Sequence, residues 1–304
     1  MTDYKPCIEV LMPTYNGERF LAAQLDSILG QRGFFDVKIS VRDDGSTDGT
    51  REILKHYESF HGIHVIYGTN IGVNASMMAL VNQANADFYA FSDQDDIWYD
   101  FRLQEALGAL QLLKKDKPLL WTCREELTDE NLHPIGMMPT PKYLGDFHNA
   151  VIQNKAPGHT QVFNQALLNL LKGYPPEEIF VYDWVVYLLA CAFGTVVYHP
   201  QSCGKYRQHN QNAIGYSTGG FAHLRRRVLR LLSGRLRGIV NQQAYFHARY
   251  GERLKKGHRA LLEGLANNRH TLTTRLRYAL TTKVRRDTLF ETLQFRLLYF
   301  FGVF

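Results

Sequence analysis

Three carboxylates fall within four positions at Asp93-Gln94-Asp95-Asp96, just after the short apolar run Asp87 to Phe91. Like charges packed this closely repel, and a stable fold has no need of them. A divalent cation removes the repulsion, and hard oxygen ligands suit Mg²⁺ or Mn²⁺. Such a cation in turn grips a diphosphate, so the stretch reads as the floor of a nucleotide-sugar site; the alternative is a solvated acidic turn. Two more polar clusters follow apolar runs. Thr14, Tyr15 and Asn16, with Gly17 permitting a tight turn, offer a hydroxyl, an aromatic face and an amide, which a base and a ribose need. Asp43-Asp44-Gly45-Ser46-Thr47-Asp48 brings carboxylates that can accept the imide N–H of uracil or thymine. Helix capping accounts for Ser46, Thr47 or Asp48. It does not account for Asp43-Asp44 inside the turn.

Regular elements must carry these clusters. Ile8 to Met12 reads as a buried strand, and Leu21, Leu25, Ile28 and Leu29 recur at helical spacing. Val37 to Arg42 alternates as a half-buried strand does. Ile53, Leu54 and Tyr57 mark a helix, Ile63 to Tyr67 a strand, and Val73, Met77, Leu80, Val81 and Ala84 a third helical face. Asp87 to Phe91 is a strand, Leu103 to Leu113 a helix and Leu119 to Thr122 a strand. Repeated β-α units predict an α/β fold with a mainly parallel sheet and helices on both faces. Ligands bind such sheets beyond the carboxyl ends of the strands, where all three clusters fall. Residues 123–160 hold Pro134, Pro139, Pro141 and Pro157 and predict loops over the crevice. Trp184 to Ala192 reads as a buried helix and Gly194 to Tyr198 as a last strand.

The 304 residues are 45% hydrophobic, enough for a sizeable core, which excludes a disordered chain. Cys7, Cys123, Cys191 and Cys203 form no Cys-x-x-Cys pair. That pattern argues for reduced thiols and against a disulfide framework or a zinc site. No basic-then-apolar signal pattern opens the sequence. The longest uncharged apolar run, Trp184 to Tyr198, is shorter than the ~20 residues of a spanning helix. The expectation is a soluble protein or one attached to a membrane surface. Charge is divided: from Phe221 onward there are 18 Lys+Arg against 4 Asp+Glu, and before it 17 against 25. An acidic body with a basic tail suggests that the tail meets an anionic partner.

Four segments in order, Pro13 to Gly17, Asp43 to Thr50, Asn70-Ile71-Gly72 and Asp93 to Asp96, resemble the family-two glycosyltransferases, inverting enzymes of the Rossmann-like GT-A fold. Ser92 to Trp98, with Tyr206 to Gly215 downstream, looks like the bacterial rhamnosyltransferases that build cell-wall or capsular polysaccharide. The resemblance implies positions for each role. Thr14, Tyr15, Asn16, Asp44 and Asn70 would contact the nucleotide sugar, Asp44 at the pyrimidine. Asp93 would lie near the ribose and diphosphate, and Arg207 would neutralise phosphate charge. Asp95 would be the metal ligand, with His209 completing its shell and Mn²⁺ or Mg²⁺ as the cofactor. Asp183 falls where the family keeps its catalytic base, ionised without special tuning if its pKa is the ordinary ~3.9. Tyr182 departs from the acidic residue that often precedes that base. Gly158, His159 and Thr160 would lie on the acceptor side.

The expected organisation is a GT-A domain over residues 1–218, with a nucleotide-sugar half at 1–122 and an acceptor half at 123–218. A basic helical extension follows at 219–304. In it Leu224, Val228, Leu231, Leu232, Leu236 and Ile239 share one helical face and Arg226, Arg227, Arg230 and Arg237 the other. Such a face, with the aromatic tip Phe295 to Phe304, suits an anionic membrane surface. A helical hairpin packed on the catalytic domain or in a homo-oligomer is the alternative. No nucleic-acid-binding pattern accompanies the charge. The reaction expected is transfer of L-rhamnose from dTDP-β-L-rhamnose to a lipid-linked glycan, peripherally on the inner face of a bacterial plasma membrane. A UDP-hexose or UDP-N-acetylhexosamine transferase is the runner-up. The rivals outside enzymes are a non-catalytic nucleotide-sugar-binding protein and a tail-driven membrane scaffold.

Overall fold

A computed structural model describes residues 4–209, 235–266 and 271–302. In β1 (Cys7–Thr14), Ile8, Val10 and Met12 face one apolar layer and Leu11 faces the other. Both faces of the sheet are therefore covered, as parallel strands require. β2 (Asp36–Asp43) and β4 (Phe88–Phe91) flank β1 in parallel, and β3 (His64–Tyr67) extends the sheet beyond β2. Helices α1 (Leu21–Leu29), α2 (Thr50–His61) and α3 (Val73–Gln83) make the crossovers. α1 buries Leu21, Leu25 and Ile28 at helical spacing. α2 stops at Gly62, whose φ of 65° is a left-handed cap.

The second half adds β5 (Ile97–Trp98), α4 (Arg102–Gln111), β6 (Leu119–Thr128), β7 (Pro134–Met137), α5 (Phe147–Ala150), β8 (Val162–Asn164), α6 (Gln165–Leu171), α7 (Tyr182–Phe193) and β9 (Thr195–Arg207). The sheet runs β3-β2-β1-β4-β8-β6-β9-β5, with β7 beside β6. β8 is antiparallel to β4 and β6, whereas β6 and β9 pair in parallel. The α/β architecture is the one expected. Its extent differs from the expectation in two regions: within the expected loop stretch 123–160, residues 123–128 and Pro134–Met137 are strand and Phe147–Ala150 is helix, and the last strand runs on from Tyr198 to Arg207. β6 pairs with β9 from Leu119 opposite Thr195 to Thr128 opposite Arg207. The polar run Arg124-Glu125-Glu126 masks this strand in the sequence, because Glu125 is buried by tertiary partners rather than by apolar character.

Helices α8 (Arg235–Tyr250), α9 (Lys256–Ala266), α10 (Leu272–Thr281) and α11 (Leu289–Phe300) follow. Val240, Phe246, Leu262 and Phe295 share one core with Val185 and Leu188 of α7. The described C-terminal helices thus pack onto the second half of the sheet domain, around α7. The 218/219 boundary, the motif residues Asn210 to Gly215 and the helical face from Leu224 to Leu232 lie outside the described residues. Of that face, Ile239 is described, and it packs against the core. No described helix is long and apolar enough to cross a membrane.

Candidate active site

Parallel pairing brings the tips of β1, β2 and β4 to one sheet edge, with Thr14 opposite Asp43 and Leu11 opposite Phe91. A cavity of about 780 Å³ opens there. Thr14, Tyr15, Asp44, Asn70, Asp93 and Asp95 line it from the first half of the chain, and Gly158, His159, Tyr182 and Asp183 from the second. Of the expected site residues, these converge; Asn16, Thr160, Arg207 and His209 do not line the cavity.

Just past the tip of β2, Asp44 is buried and pairs with Arg42. Its two oxygens also accept from the backbone N–H groups of Ile71 (2.8 Å) and Gly72 (2.9 Å). Burial opposes the charge, but these donors win and hold the carboxyl below the usual aspartate range. Asp44 therefore clamps the Asn70-Ile71-Gly72 loop besides facing the cavity. Gly45, at φ 83°, lets this loop approach: an added Cβ would lie 2.9 Å from the Asn70 nitrogen. Gln94, between the two motif aspartates, accepts from the Tyr15 backbone N–H at 3.0 Å and from the Thr14 hydroxyl. That ties the β1 tip to the acidic loop, a role the sequence did not mark. Asn16 ties tips together too, donating its backbone N–H to Ser46 at 2.9 Å and accepting from the Thr47 backbone N–H at 2.9 Å.

His209 Nε2 lies 2.8 Å from Asp95 Oδ2, across 114 residues of sequence. Arg207, expected at the phosphates, donates instead to the carbonyls of Asp95 (2.8 Å) and Glu130 (2.5 Å), and its guanidinium stacks 4.4 Å over the Phe20 ring. It shapes the acidic loop from behind. Asp96 accepts from the Arg207 backbone N–H at 3.1 Å through Oδ1, and its buried Oδ2 has no partner. Burial, reinforced by Asp95, Glu125 and Asp93 and opposed by His159, pushes Asp96 well above the usual aspartate range. A carboxylate–imidazole pair beside an orphaned carboxylate oxygen is a donor set that Mn²⁺ or Mg²⁺ accepts. The residues therefore fit the cofactor expected at Asp95 and His209.

Asp93, Asp96 and His159 also offer ligand atoms within 4.8 Å of one another. His159 is otherwise engaged. Its Nε2 lies 2.9 Å from Glu125 and its Nδ1 3.5 Å from Asp93, and its ring stacks on Tyr206 with centroids 4.3 Å apart. Burial opposes its charge, but Glu125 and Asp93 outweigh it and raise its pKa well above the usual histidine range. His159 in its charged form balances the surrounding carboxylates, and in its neutral form it offers a ring nitrogen to the same cluster. Behind it, fully buried Arg102 on α4 pairs with Glu125 on β6 at 2.7 Å and donates to the His159 carbonyl. Thr160, expected on the acceptor side, is buried and shares a 2.6 Å contact with Thr122.

Asp183 begins α7 at the far wall. Its Oδ2 accepts from the Gly158 backbone N–H at 2.8 Å, and its enclosed Oδ1 has no protein partner. The ordinary pKa expected from sequence is corrected: burial, with Asp93 nearby, pushes it up to about 6 against the pull of the Gly158 N–H. Such a group is still mostly ionised at neutral pH, and is a better base than an exposed aspartate. Tyr182 is buried, its hydroxyl 3.5 Å from Asp93. Gly158 leaves no room for a side chain: an added Cβ would lie 2.8 Å from the Tyr182 hydroxyl and 3.1 Å from Asp183 Cβ. Gly158→Ala is expected to displace the Asp183 carboxylate and lower turnover at least tenfold with little change in melting temperature. Unaltered steady-state kinetics would show that the carboxylate tolerates displacement.

Residues 9–135 match the family model Glycosyl transferase family 2. TuaG of Bacillus subtilis (strain 168), described as a teichuronic acid biosynthesis glycosyltransferase, is 37% identical over 109 residues, 35% of this chain and 43% of TuaG. The dTDP-rhamnosyl transferase RfbG of Shigella flexneri is 28% identical over 225 residues, 67% of this chain and 73% of RfbG. This chain spans about half the length of several curated relatives it matches, 43%, 59% and 40% in three of them. The crystal structure of S. aureus TarS 1-349 in complex with UDP-GlcNAc superposes with a TM-score of 0.61 at 17% identity, over 99% of this chain and 81% of that one. The chain therefore has the fold of the family 2 glycosyl transferases, and residues 9–135 carry that family's sequence pattern.

Proposed function

We propose that the protein is an inverting, metal-dependent glycosyltransferase. The observation that carries the reading is Asp183, a carboxylate with one unpartnered oxygen, lining the same cavity as Asp44, Asp93 and Asp95. In this reading Tyr15, nearly half exposed at the cavity mouth, stacks on the base, and Asp44 accepts its imide N–H. The acceptor hydroxyl attacks the anomeric carbon opposite the diphosphate. The new C–O bond forms as the sugar–phosphate bond breaks, and Asp183 takes the hydroxyl proton. Gly158 holds the other carboxylate oxygen, so the base keeps one orientation. Asp95 and His209 would hold the metal, which when bound neutralises charge on the departing diphosphate.

The donor is dTDP-β-L-rhamnose and the acceptor a lipid-linked bacterial cell-surface glycan, met at the inner face of the plasma membrane. Similarity to RfbG over two thirds of the chain supports the donor. The reading is tested by release of nucleoside diphosphate from a panel of nucleotide sugars with Mn²⁺ or Mg²⁺. Preference for dTDP-rhamnose is the expected result; preference for a UDP-sugar would reassign the donor, and binding without turnover on any acceptor would make it a binding protein. Asp95→Ala is expected to weaken metal-dependent donor binding at least tenfold. An unchanged metal requirement would remove Asp95 from the ligand set.

A further inference from the structure

The last two helices expose far more apolar surface than folding explains. On α10, Leu272, Leu276 and Leu280 recur every four residues and all are exposed, Leu280 by 70%. On α11 and its C-cap, Leu289, Phe290, Leu293, Leu297 and Phe301 are exposed, Leu289 by 75% and Phe290 by 71%. At 100° per residue these five fall within an arc of about 120°. Thr292, Phe295 and Tyr299, on the opposite arc, are the buried ones. α11 is thus amphipathic twice over: one apolar side serves the protein core, and a second has no protein partner among the described residues. Tyr278 and Tyr299 pack the two helices together with ring centroids 4.5 Å apart, and both hydroxyls donate to carbonyls of α9, those of Leu261 and Gly264, so each exposed row lies on the side of its helix turned away from α9. Apolar exposure on this scale marks a contact surface.

We infer that these rows dock into the interfacial zone of an anionic lipid membrane. Charge selects the occupant. From Leu272 to Phe304 there are six basic residues and two acidic ones. Asp287 is paired with Lys155 and Arg285 with Asp146, which leaves the basic excess in place. Arg277 and Lys283 are exposed on α10 and just beyond it. A symmetric contact between two copies would bring like cationic groups together. An anionic leaflet complements them while the leucines and phenylalanines enter the acyl boundary.

The link between α10 and α11 is also wired to the cavity. The Arg285 N–H donates to the His148 carbonyl at 3.2 Å, Asn149 donates to the Arg285 carbonyl at 2.9 Å, and Lys155 and Gln153 hold Asp287. The same stretch continues into Asn154 and Pro157, which line the cavity beside Asp183. The docking face therefore sits on a segment fastened to the acceptor rim, so a lipid-borne acceptor would arrive from the side the membrane occupies. That last step rests on the proposed glycosyl transfer; the docking itself does not.

Co-sedimentation of the full chain with vesicles tests this. Phosphatidylglycerol vesicles should bind it, phosphatidylcholine vesicles should not, and raised salt should weaken binding. The variant Leu276→Glu/Leu293→Glu/Leu297→Glu changes exposed positions only and should bind phosphatidylglycerol at least tenfold more weakly. Its thermal stabilisation by nucleotide sugar with Mn²⁺ should match that of the unmodified protein. Equal vesicle binding by the variant would overturn the inference. So would concentration-dependent self-association in the analytical ultracentrifuge that the substitutions abolish, since the face would then belong to a second copy. Absence of nucleotide-sugar stabilisation in both proteins would count against the glycosyl-transfer reading and leave the vesicle result interpretable.

Discussion

Asp183→Asn is expected to retain nucleotide-sugar binding and to lose about 10²–10⁴-fold in kcat, the usual worth of a positioned general base. The amide keeps the shape and can still meet the cavity. It cannot take the proton of an attacking hydroxyl. The unmodified protein should also show an acidic limb in its pH–rate profile. Asp183 has a pKa of about 6, so below that pH the group is protonated and the base is lost. The rate should fall about tenfold per pH unit there and level off above it. The asparagine variant should lack this limb. Near-normal turnover in the variant would move the base to another residue.

Arg102→Met is expected to destabilise the fold by about 3–5 kcal/mol, the penalty for leaving one half of a buried ion pair uncompensated. Arg102 is fully buried against Glu125 and also donates to the His159 carbonyl. Methionine fills part of the space and leaves the Glu125 carboxylate without its guanidinium. His159 would then face the cluster of Glu125, Asp93 and Asp96 without that second cation nearby. Combining the change with Glu125→Gln should cost less than the two singles added, because the partners act as one unit. Urea unfolding measures both quantities. A single-variant loss under about 1 kcal/mol would mean that solvent or rearrangement replaces the pair.

The strand tips were legible because three parallel strands with apolar runs end in polar clusters, and a parallel sheet sends such ends to one edge. Thr14, Asp44 and Asp93 therefore met where their positions implied. Glu125 and Arg102 were not legible. Glu125 lies on a strand whose polar residues hide its alternation, and Arg102 begins a helix where an arginine ordinarily meets solvent. Nothing local says that the two will be buried together. Three-residue β8 is too short for a periodic signal, and it is its insertion between β4 and β6 that places the His159 segment beside the acidic loop. Arg207 could be placed near the diphosphate by resemblance, but the direction of its guanidinium is set by Phe20 and Glu130, remote in sequence. The perturbed pKa of Asp183 depends on enclosure, which no sequence pattern reports. The basic tail advertised its charge; its exposed leucines at 272, 276 and 280 emerge only once α10 has a buried side.

Crystals grown with Mn²⁺ and a nucleoside diphosphate would test the arrangement most directly, through the anomalous signal of manganese. The expected result is a manganese peak bonded to Asp95, the diphosphate against it and the base beside Asp44, with Asp183 across the remaining space. A nucleotide bound away from the β1, β2 and β4 tips, or manganese held by a different set of side chains, would contradict it.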